Sequence, residues 1–235
     1  MNIVITGASR GIGKAIAEIF ATNGYNLFLT SRGEVNLYKT LEELVTKYPA
    51  VKIKAKAFDL SIKEQAIGFG EWCLQQAVPY ILINNAGTFE PGSVYNEPDG
   101  AFEKQMAVNI HAAYHLTRKL LPEMMERKSG HIFNLCSIAA LKAYANGGSY
   151  SISKYAMHGF SKNLREELKT SNIKVTTVFP GAVLTDSWGD FDNSSNRIME
   201  KEDIAKMIFA CSKARHFVNV TKPGCIGWPE ENGRF

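Results

Sequence analysis

The sequence predicts an α/β fold in which one doubly wound parallel sheet is covered by helices on both faces. Short apolar runs rich in β-branched residues alternate along the chain with helical patterns of about 10–20 residues, as in βαβ units. A glycine-rich turn separates the first predicted strand from the first predicted helix. No Pro/Gly/Ser-rich linker and no internal repeat divides the 235 residues, so we expect a single domain over residues 1–235.

The predicted strands are short apolar runs bounded by turn residues. They lie at 2–6, 26–30, 51–58, 80–83, 131–135 and 173–179. The third run, VKIKAKAF, alternates apolar residues with lysine and predicts a half-exposed strand near an edge of the sheet.

The predicted helices carry apolar residues three and four positions apart. The first begins near Ile12, has apolar residues on one face as far as Phe20, and ends at Asn23-Gly24. The others lie at 34–48, at about 62–77, at about 99–128, and in a segment that contains Lys154 and ends near Lys169.

Composition and charge exclude several classes of protein. The chain is 45% hydrophobic and 21% charged, with a net charge of +4 and scattered basic residues, so we expect no nucleic-acid partner. No run of roughly 18 or more apolar residues predicts a membrane span, and the N-terminus is typical of a strand and not of a signal peptide. Histidines and cysteines form no metal-binding pattern. Four widely spaced cysteines predict free thiols in a cytoplasmic protein: Cys73, Cys136, Cys211 and Cys225.

The turn TGASRGIG, residues 6–13, has the spacing Gly7-x-x-x-Gly11-x-Gly13. Glycines let such a turn close tightly and let backbone N–H groups approach a pyrophosphate, and the following helix adds the positive end of its dipole. Its position between a strand and an amphipathic helix indicates a dinucleotide site.

The residues after the second strand indicate which dinucleotide binds. An NAD site usually has an Asp or Glu there, whereas a 2′-phosphate requires a nearby Arg. The sequence LTSRG has no acidic residue at 30–33 and offers Ser31 and Arg32, and we expect Arg10 of the glycine turn to approach the same point. Because bidentate contacts of Arg with phosphate are strong, we expect NADP(H) as the cofactor.

Five motifs follow one another in a characteristic order: TGASRGIG, NNAG at 84–87, Asn109, Ser137 and Tyr150-x-x-x-Lys154. In this order and spacing they resemble the short-chain dehydrogenase/reductase family. The similarity covers about residues 1–190 and includes Asp59-Leu60 and PGAVLT at 180–185. It implies a Rossmann-type fold and hydride transfer between NADP(H) and a ketone or aldehyde carbonyl.

The resemblance assigns catalytic roles to Asn109, Ser137, Tyr150 and Lys154. Tyr150 would be the general acid that protonates the carbonyl oxygen, and Ser137 would donate a hydrogen bond to the same oxygen. Residues four apart share one face of a helix, so Lys154 would lie beside the phenol. We expect its charge to lower the pKa of Tyr150 from about 10 by about 3 units. Lys154 would also contact the nicotinamide ribose, and Asn109 would hold a water in a proton relay.

By the same resemblance, Asp59 would contact the adenine ring and Thr185 the carboxamide of the cofactor. The full set of expected cofactor-binding residues is Gly7, Ser9, Arg10, Gly11, Ile12, Gly13, Ser31, Arg32, Asp59, Leu60, Asn85, Ala86, Gly87, Tyr150, Lys154, Pro180, Gly181, Val183 and Thr185. Residues 186–200 are expected to form a lid over the substrate. The expected substrate contacts are Ser137, Tyr144, Tyr150, Trp188 and Phe191.

The segment PGAVLTDSWGDF is similar to bacterial proteins that resemble sepiapterin reductases, and the rest of the chain resembles 3-oxoacyl-carrier-protein reductases. A generic NADPH-dependent carbonyl reductase acting on a small molecule is therefore the first interpretation. The tail at 221–235 departs from the family, because its three glycines and two prolines weaken any final strand.

Three alternatives remain open. The chain could be a non-catalytic NADP-binding sensor, an NAD-dependent alcohol dehydrogenase of the same family, or a nucleotide-sugar epimerase, although 235 residues leave little room for an epimerase's substrate domain. We also expect a homodimer or homotetramer that packs through the long helices at 99–128 and 151–169. Neither nucleic acid nor membrane is expected as a partner.

Overall fold

The computed structural model describes residues 1–185, 192–194 and 198–214. Six parallel strands form the central sheet: β1 Asn2–Thr6, β2 Asn26–Thr30, β3 Ile53–Ala55, β4 Ile81–Asn84, β5 Gly130–Leu135 and β6 Ile173–Val178. Their order across the sheet is β3-β2-β1-β4-β5-β6. The direction of winding reverses between β1 and β4, which opens a crevice at the carboxyl ends of these strands. The predicted doubly wound α/β sheet is confirmed.

Helices connect and cover the strands. The described α-helices are α1 Gly11–Thr22, α2 Glu34–Lys47, α3 Lys63–Gln76, α4 Ala101–Met106, α5 Ala112–Glu126, α6 Gly148–Glu167 and α7 Lys201–Lys213. A π-helical turn at Ala107–His111 joins α4 to α5, and a 3₁₀ turn at Ile138–Ala140 follows β5. Two short strands, β7 Val183–Leu184 and β8 Met199–Glu200, pair in parallel before α7.

Alternate residues of each strand face opposite layers of helices. Ile3 and Ile5 of β1 belong to the core that includes α1, α2 and α7, whereas Val4 belongs to the core that includes α3, α5 and α6. Both faces of the central strands β1 and β4 are therefore buried, which explains why these two strands are continuous apolar runs. This packing fixes the carboxyl ends of the strands, where the sequence motifs lie.

The strand positions predicted from the apolar runs agree with the structure to within one residue, except for the third. β3 is the predicted edge strand, but it spans only Ile53–Ala55. Beyond it the chain still follows β2, because Lys56 N and Phe58 N donate to Leu29 O and Ser31 O at 3.1 and 3.2 Å. The predicted length of 51–58 was therefore wrong for the regular strand.

α7 is the one described α-helix without a counterpart among the predicted helices. Its signals are present in the sequence. Glu200 and Asp203 form a capping box at its start, and Ile204 and Ile208 are buried four positions apart. Phe209 packs edge-to-face on a phenylalanine of α1 with ring centroids 5.3 Å apart, so α7 completes the layer over α1.

Among the helices of the described segments, none has the length and apolarity that a bilayer span needs. The same segments contain no group of three or more His, Cys, Asp or Glu side chains arranged to hold a metal ion. Of the predicted lid, residues 192–194 and 198–200 are described, and Asn193 Nδ2 donates to Ile198 O at 2.9 Å. Trp188, Phe191 and the tail at 221–235 lie outside the described residues.

Candidate active site

The glycine turn lies at the carboxyl end of β1 and leads directly into α1. Gly7 and Gly11 have φ of +64° and +54°, a left-handed conformation that favours glycine. A Cβ on Gly13 would overlap Gly7 O and lie 2.6 Å from Asn85 Nδ2, so α1 approaches the turn this closely only with glycine there. The first N–H groups of a helix have no partner within it, and those of α1 open onto this turn. The turn is therefore suited to bind an anion.

Three further residues complete this turn. Ser9 O accepts from Thr40 Oγ1 of α2 at 2.8 Å, which holds the turn against the second helix. Arg10 is exposed at the N-cap of α1, and Ile12 packs against the core beneath it. The backbone of the turn is thus anchored, and Arg10 is exposed beside it.

The NNAG segment holds the glycine turn from the neighbouring strand. Asn85 Nδ2 donates to Thr6 O at 2.8 Å and to Gly7 O at 3.1 Å. Thr6 Oγ1 accepts from Asn85 N and Ala86 N, both at 2.9 Å. These bonds join the ends of β1 and β4 at the reversal of the sheet. Gly87 follows, exposed in the crevice.

The ends of β2 and β3 carry the residues expected at the adenosine side. Arg32 is exposed, whereas Ser31 is buried and donates its hydroxyl to the backbone carbonyl two residues on at 3.2 Å. Asp59 Oδ1 accepts from the N–H and the hydroxyl of the serine two residues on, at 3.0 and 2.6 Å, and Leu60 is buried. The positive charge at this end, together with the N–H groups of the glycine turn, fits the phosphates of a dinucleotide.

Tyr150 and Ser137 meet at the carboxyl end of β5. Ser137 Oγ accepts from Ala139 N at 3.1 Å and so caps the 3₁₀ turn, and its side chain is also hydrogen-bonded to the Tyr150 phenol. Burial raises the pKa of Tyr150, and the hydrogen bond from Ser137 opposes that rise. Ser137 therefore has both a structural partner and a position beside the phenol.

Lys154 lies one helical turn after Tyr150 on α6 and is buried. Its Nζ is 5.6 Å from the centre of the Tyr150 ring and donates to Leu135 O at 3.1 Å. Burial lowers the pKa of Lys154, partly offset by the neighbouring Cys136. The expectation that Lys154 lowers the pKa of Tyr150 was wrong for the chain by itself. The ammonium group faces a backbone carbonyl, and burial is the largest effect at the phenol.

Cys136 lies between the end of β5 and α6. Its thiol donates to Lys154 O at 3.1 Å, and burial raises the pKa of the thiol to about 11. A thiol with such a pKa is neutral near pH 7 and is a poor nucleophile. Its place in the site is therefore that of a small buried side chain.

Asn109 lies in the π-helical turn between α4 and α5 and is fully buried. Its Oδ1 accepts from Thr88 N at 2.8 Å, and its Nδ2 donates to Thr88 O at 3.0 Å and to Ser153 Oγ at 2.9 Å. π-Helical turns are frequent at functional sites because they redirect a side chain within a helix. Asn109 thus ties the loop after β4 to α6 between Tyr150 and Lys154. Its role in a water relay stays a prediction.

The segment after β6 runs back to the glycine turn. Pro180 O accepts from the first N–H of the 3₁₀ turn at 3.1 Å, and a Cβ on Gly181 would lie in ordinary contact with the same turn at 3.8 Å. Val183 is buried in the core beside α7. A Cβ on Gly11 would lie 3.5 Å from Thr185 Cγ2, so Thr185 lies next to the phosphate end of the crevice. Its contact with the carboxamide stays a prediction.

Two aromatic side chains lie close to Tyr150. Tyr144 is half-buried, and burial raises its pKa, with a smaller contribution from Tyr150. Phe89 packs edge-to-face on the Tyr150 ring with centroids 4.8 Å apart, and 54% of it is exposed. Sequence reasoning missed Phe89. Phe89 follows NNAG by two residues and so lies beyond the carboxyl end of β4. The carboxyl ends of adjacent parallel strands meet at one edge of the sheet, and this was the signal that could have placed Phe89 near the residues after β5.

The structure is a Rossmann-type α/β fold with a tyrosine, a serine and a lysine in its crevice. A family model described as short chain dehydrogenase matches residues 1–196. The chain belongs to the short-chain dehydrogenase/reductase family of oxidoreductases.

Relatives and solved structures are similar over most of their length. An uncharacterised oxidoreductase of Staphylococcus saprophyticus is 32% identical over 221 residues, covering 93% of this chain and 94% of the relative. An uncharacterised oxidoreductase of Bacillus subtilis is 36% identical over 185 residues, covering 78% and 68%. L-Sorbose reductase from Gluconobacter frateurii, complexed with NADPH and L-sorbose, superimposes with a TM-score of 0.83 at 28% identity, covering 89% and 88%. A metagenomic short-chain oxidoreductase in complex with NADP has a TM-score of 0.80 at 30% identity, covering 93% and 94%.

Proposed function

We propose that this protein reduces the carbonyl group of a ketone or an aldehyde to an alcohol with NADPH, and that Tyr150 is the general acid. The observation that carries the proposal is the arrangement at the carboxyl end of β5. There a buried phenol is hydrogen-bonded to Ser137, and Lys154 lies beneath its ring, 5.6 Å from the centre. Two hydroxyl groups that converge on one point are suited to bind and protonate a carbonyl oxygen.

The residues of the crevice fit a nicotinamide dinucleotide. The glycine turn and the first N–H groups of α1 would hold the diphosphate, because Gly13 lets α1 pack directly against the turn, where a Cβ would overlap Gly7 O. Lys154 and the NNAG segment would border the nicotinamide ribose and the adenosine side. When bound, the cofactor supplies the hydride that reduces the carbonyl carbon.

Side chains of the protein would supply the proton that the carbonyl oxygen receives. A phenol with its ordinary pKa of about 10 carries its proton near pH 7, as a general acid requires. Burial raises the pKa of Tyr150, which makes proton transfer harder, and the hydrogen bond from Ser137 opposes that rise. Ser137 Oγ accepts from Ala139 N, and its O–H, which is bonded to the Tyr150 phenol in this structure, would donate to the developing charge on the carbonyl oxygen once a substrate binds. Lys154 Nζ lies 5.6 Å from the centre of the Tyr150 ring, and we expect it to stabilise the phenolate only when cofactor and substrate are bound, since in the chain by itself it does not lower the pKa of the phenol.

The preference for NADPH over NADH rests on the end of β2. Residues 30–33 contain no acidic side chain, and Arg32 and Arg10 are exposed at the ends of β2 and of the glycine turn. Guanidinium groups suit a 2′-phosphate, whereas an acidic residue would repel it. The L-sorbose reductase and the metagenomic oxidoreductase, which were solved with NADPH and NADP, support the same choice.

The test is the loss of NADPH absorbance with four substrates: a diketone, an aromatic ketone, a pterin carbonyl compound and a 3-oxoacyl thioester. The last two represent the subgroups that the sequence resembles. We expect turnover of at least one substrate, faster with NADPH than with NADH. Tight NADPH binding without turnover of any of them would contradict the proposal and favour a non-catalytic sensor. Faster turnover with NADH would contradict the cofactor assignment.

We further propose that the protein is a cytoplasmic homodimer or homotetramer. Apolar side chains on the long helices support this, since Phe102 and Tyr114 on the α4–α5 segment and Ile152 and Tyr155 on α6 are each about 40% exposed. Buried, unpaired thiols such as Cys73 support a reducing compartment. Sedimentation of the wild type beside Tyr155→Lys tests the assembly. A monomeric wild type would contradict the proposed assembly, and an unchanged assembly in Tyr155→Lys would contradict its packing through α6.

A further inference from the structure

The loop at 88–100, between β4 and α4, lies against the start of α6. Its Glu97 reaches the first turn of that helix, more than fifty residues further along the chain. Glu97 Oε1 accepts from Ser149 N at 2.7 Å, and Glu97 Oε2 accepts from the Ser149 hydroxyl. Both carboxylate oxygens therefore bind the residue that directly precedes Tyr150.

Two glycines make room for this carboxylate. A Cβ on Gly148 would overlap Glu97 Oε1 and lie 2.7 Å from Glu97 Cδ, and a Cβ on Gly92 would lie 2.6 Å from Glu97 Cγ. Either side chain would push the carboxylate away from α6. The contact is therefore enclosed on both sides and is not an incidental surface pair.

A second set of bonds holds the same loop to the turn that precedes α6. Gly92 N donates to Asn146 O at 3.1 Å, and Ser93 Oγ donates to Asn146 Oδ1 at 2.9 Å. Asn146 has φ of +60°, a conformation that Asn tolerates better than most residues. The loop is thus attached to the entry of α6 at two points.

α6 depends on this external partner. Its N-cap, Gly147, has no side chain, and its first turn, from Gly148 to Ser151, contains no acidic residue. Side-chain oxygens at a helix start satisfy N–H groups that otherwise have no partner, and a negative charge there is favourable. Glu97 supplies both.

We propose that Glu97 is a positioning residue that sets the first turn of α6, and with it the phenol of Tyr150, against Ser137. The inference rests on the proposed reductase function for its kinetic part only. The same attachment holds Phe89, at the start of the loop, edge-to-face on the Tyr150 ring. A loosened loop would therefore disturb the phenol from two sides without touching the glycine turn.

Three variants of Glu97 separate the effect of side-chain length from the effect of charge. Glu97→Ala removes both bonds, Glu97→Asp keeps the charge but shortens the side chain by one methylene, and Glu97→Gln keeps the length and one oxygen acceptor. The matched control is Glu90→Gln in the same loop, since Glu90 pairs with Lys104 and not with α6. We expect kcat to fall at least tenfold in Glu97→Ala and Glu97→Asp, and less than threefold in Glu97→Gln and in the control. The Kd for NADPH should change less than twofold in all four variants.

Hydrogen exchange of the amides at 147–151 gives a measure that does not depend on turnover. We expect it to be faster in Glu97→Ala and Glu97→Asp and unchanged in Glu90→Gln. Wild-type kcat in Glu97→Ala, or an equal loss in the control, would overturn the proposal. If the wild type turned over no substrate, the reductase proposal alone would fail. Hydrogen exchange at 147–151 would then test the role of Glu97, and unchanged exchange in Glu97→Ala would overturn that role. If Glu97→Ala did not fold, kcat and hydrogen exchange in Glu97→Asp would be compared with those in Glu97→Gln, and equal values in the two variants would overturn the proposal.

Discussion

Replacing Gly13 with alanine should weaken dinucleotide binding while most of the fold persists. The added Cβ would lie 2.6 Å from Asn85 Nδ2 and 2.9 Å from Gly7 C, whereas unstrained contacts lie at about 3.5–4.0 Å. The overlap of about 1 Å falls on backbone that Asn85 also anchors, so it can be relieved only by moving the turn. Such overpacking costs about 1–3 kcal/mol of folding free energy. Each charge-assisted bond that the displaced turn loses to a phosphate is worth about 1.5–3 kcal/mol.

The assay is a fluorescence titration with NADPH beside thermal unfolding. We expect the Kd of Gly13→Ala to rise at least ~10-fold and its Tm to fall by about 2–4 °C per kcal/mol lost. The control is Gly68→Ala in α3, where a Cβ would be in ordinary contact with Phe58 at 3.5 Å. That variant should bind NADPH normally and gain about 0.5–1 kcal/mol of stability. Wild-type Kd and Tm in Gly13→Ala would refute the reasoning.

Three further predictions concern other parts of the structure. Phe89→Ala should raise KM for an aromatic ketone several-fold more than for a small diketone, because the exposed ring stands beside Tyr150; equal changes would contradict a role in substrate binding. Arg32→Asp should lower the NADPH-to-NADH ratio of kcat/KM at least ~10-fold, since a charged contact is worth about 1.5–3 kcal/mol, and an unchanged ratio would remove Arg32 from the site. Burial lowers the pKa of His131 from 6.5 to about 3, so only the unfolded chain takes up this proton as the pH falls below 6.5. Between pH 7 and pH 5 this should lower the free energy of unfolding, measured by denaturant titration, by about 2 kcal/mol. His131→Gln should show a smaller decrease over the same pH range, and a decrease equal to that of the wild type would contradict the prediction.

Much of the fold was predictable because the central strands of the sheet are buried on both faces. In strands such as β1 and β2 the three central residues are all apolar and buried, and the ends of both strands were predicted to the residue. The edge strand β3 was harder, because its hydrogen bonds with β2 continue past Ala55 without regular geometry. α7 has a capping box and buried isoleucines four apart, but it follows a segment that was interpreted as a lid.

The convergence of the proposed catalytic residues was predictable because they belong to motifs with fixed spacing. Asn109, Ser137, Tyr150 and Lys154 come together at the carboxyl edge of the sheet although they are far apart in the chain. The direction of the Tyr150 pKa shift was not predictable from spacing. It depends on the burial of the phenol and on the bond from Lys154 to a backbone carbonyl.

The attachment of the loop at 88–100 could not be read from the sequence either. Glu97 binds Ser149 in a pair separated by 52 residues, and no local pattern specifies such a partner. Phe89 likewise reaches Tyr150 only because β4 and β5 are adjacent in the sheet. Contacts of this kind follow from strand order, which the alternation of strands and helices does not determine.

The central claim is that the Tyr150 phenol donates the proton during reduction. The most direct test is NADPH oxidation by wild type and by Tyr150→Phe with the best substrate of the panel, together with the Kd for NADPH. We predict that kcat falls by about 10²-fold or more while NADPH still binds, because only the phenolic oxygen is removed. Wild-type kcat in Tyr150→Phe, with NADPH still bound, would contradict the claim.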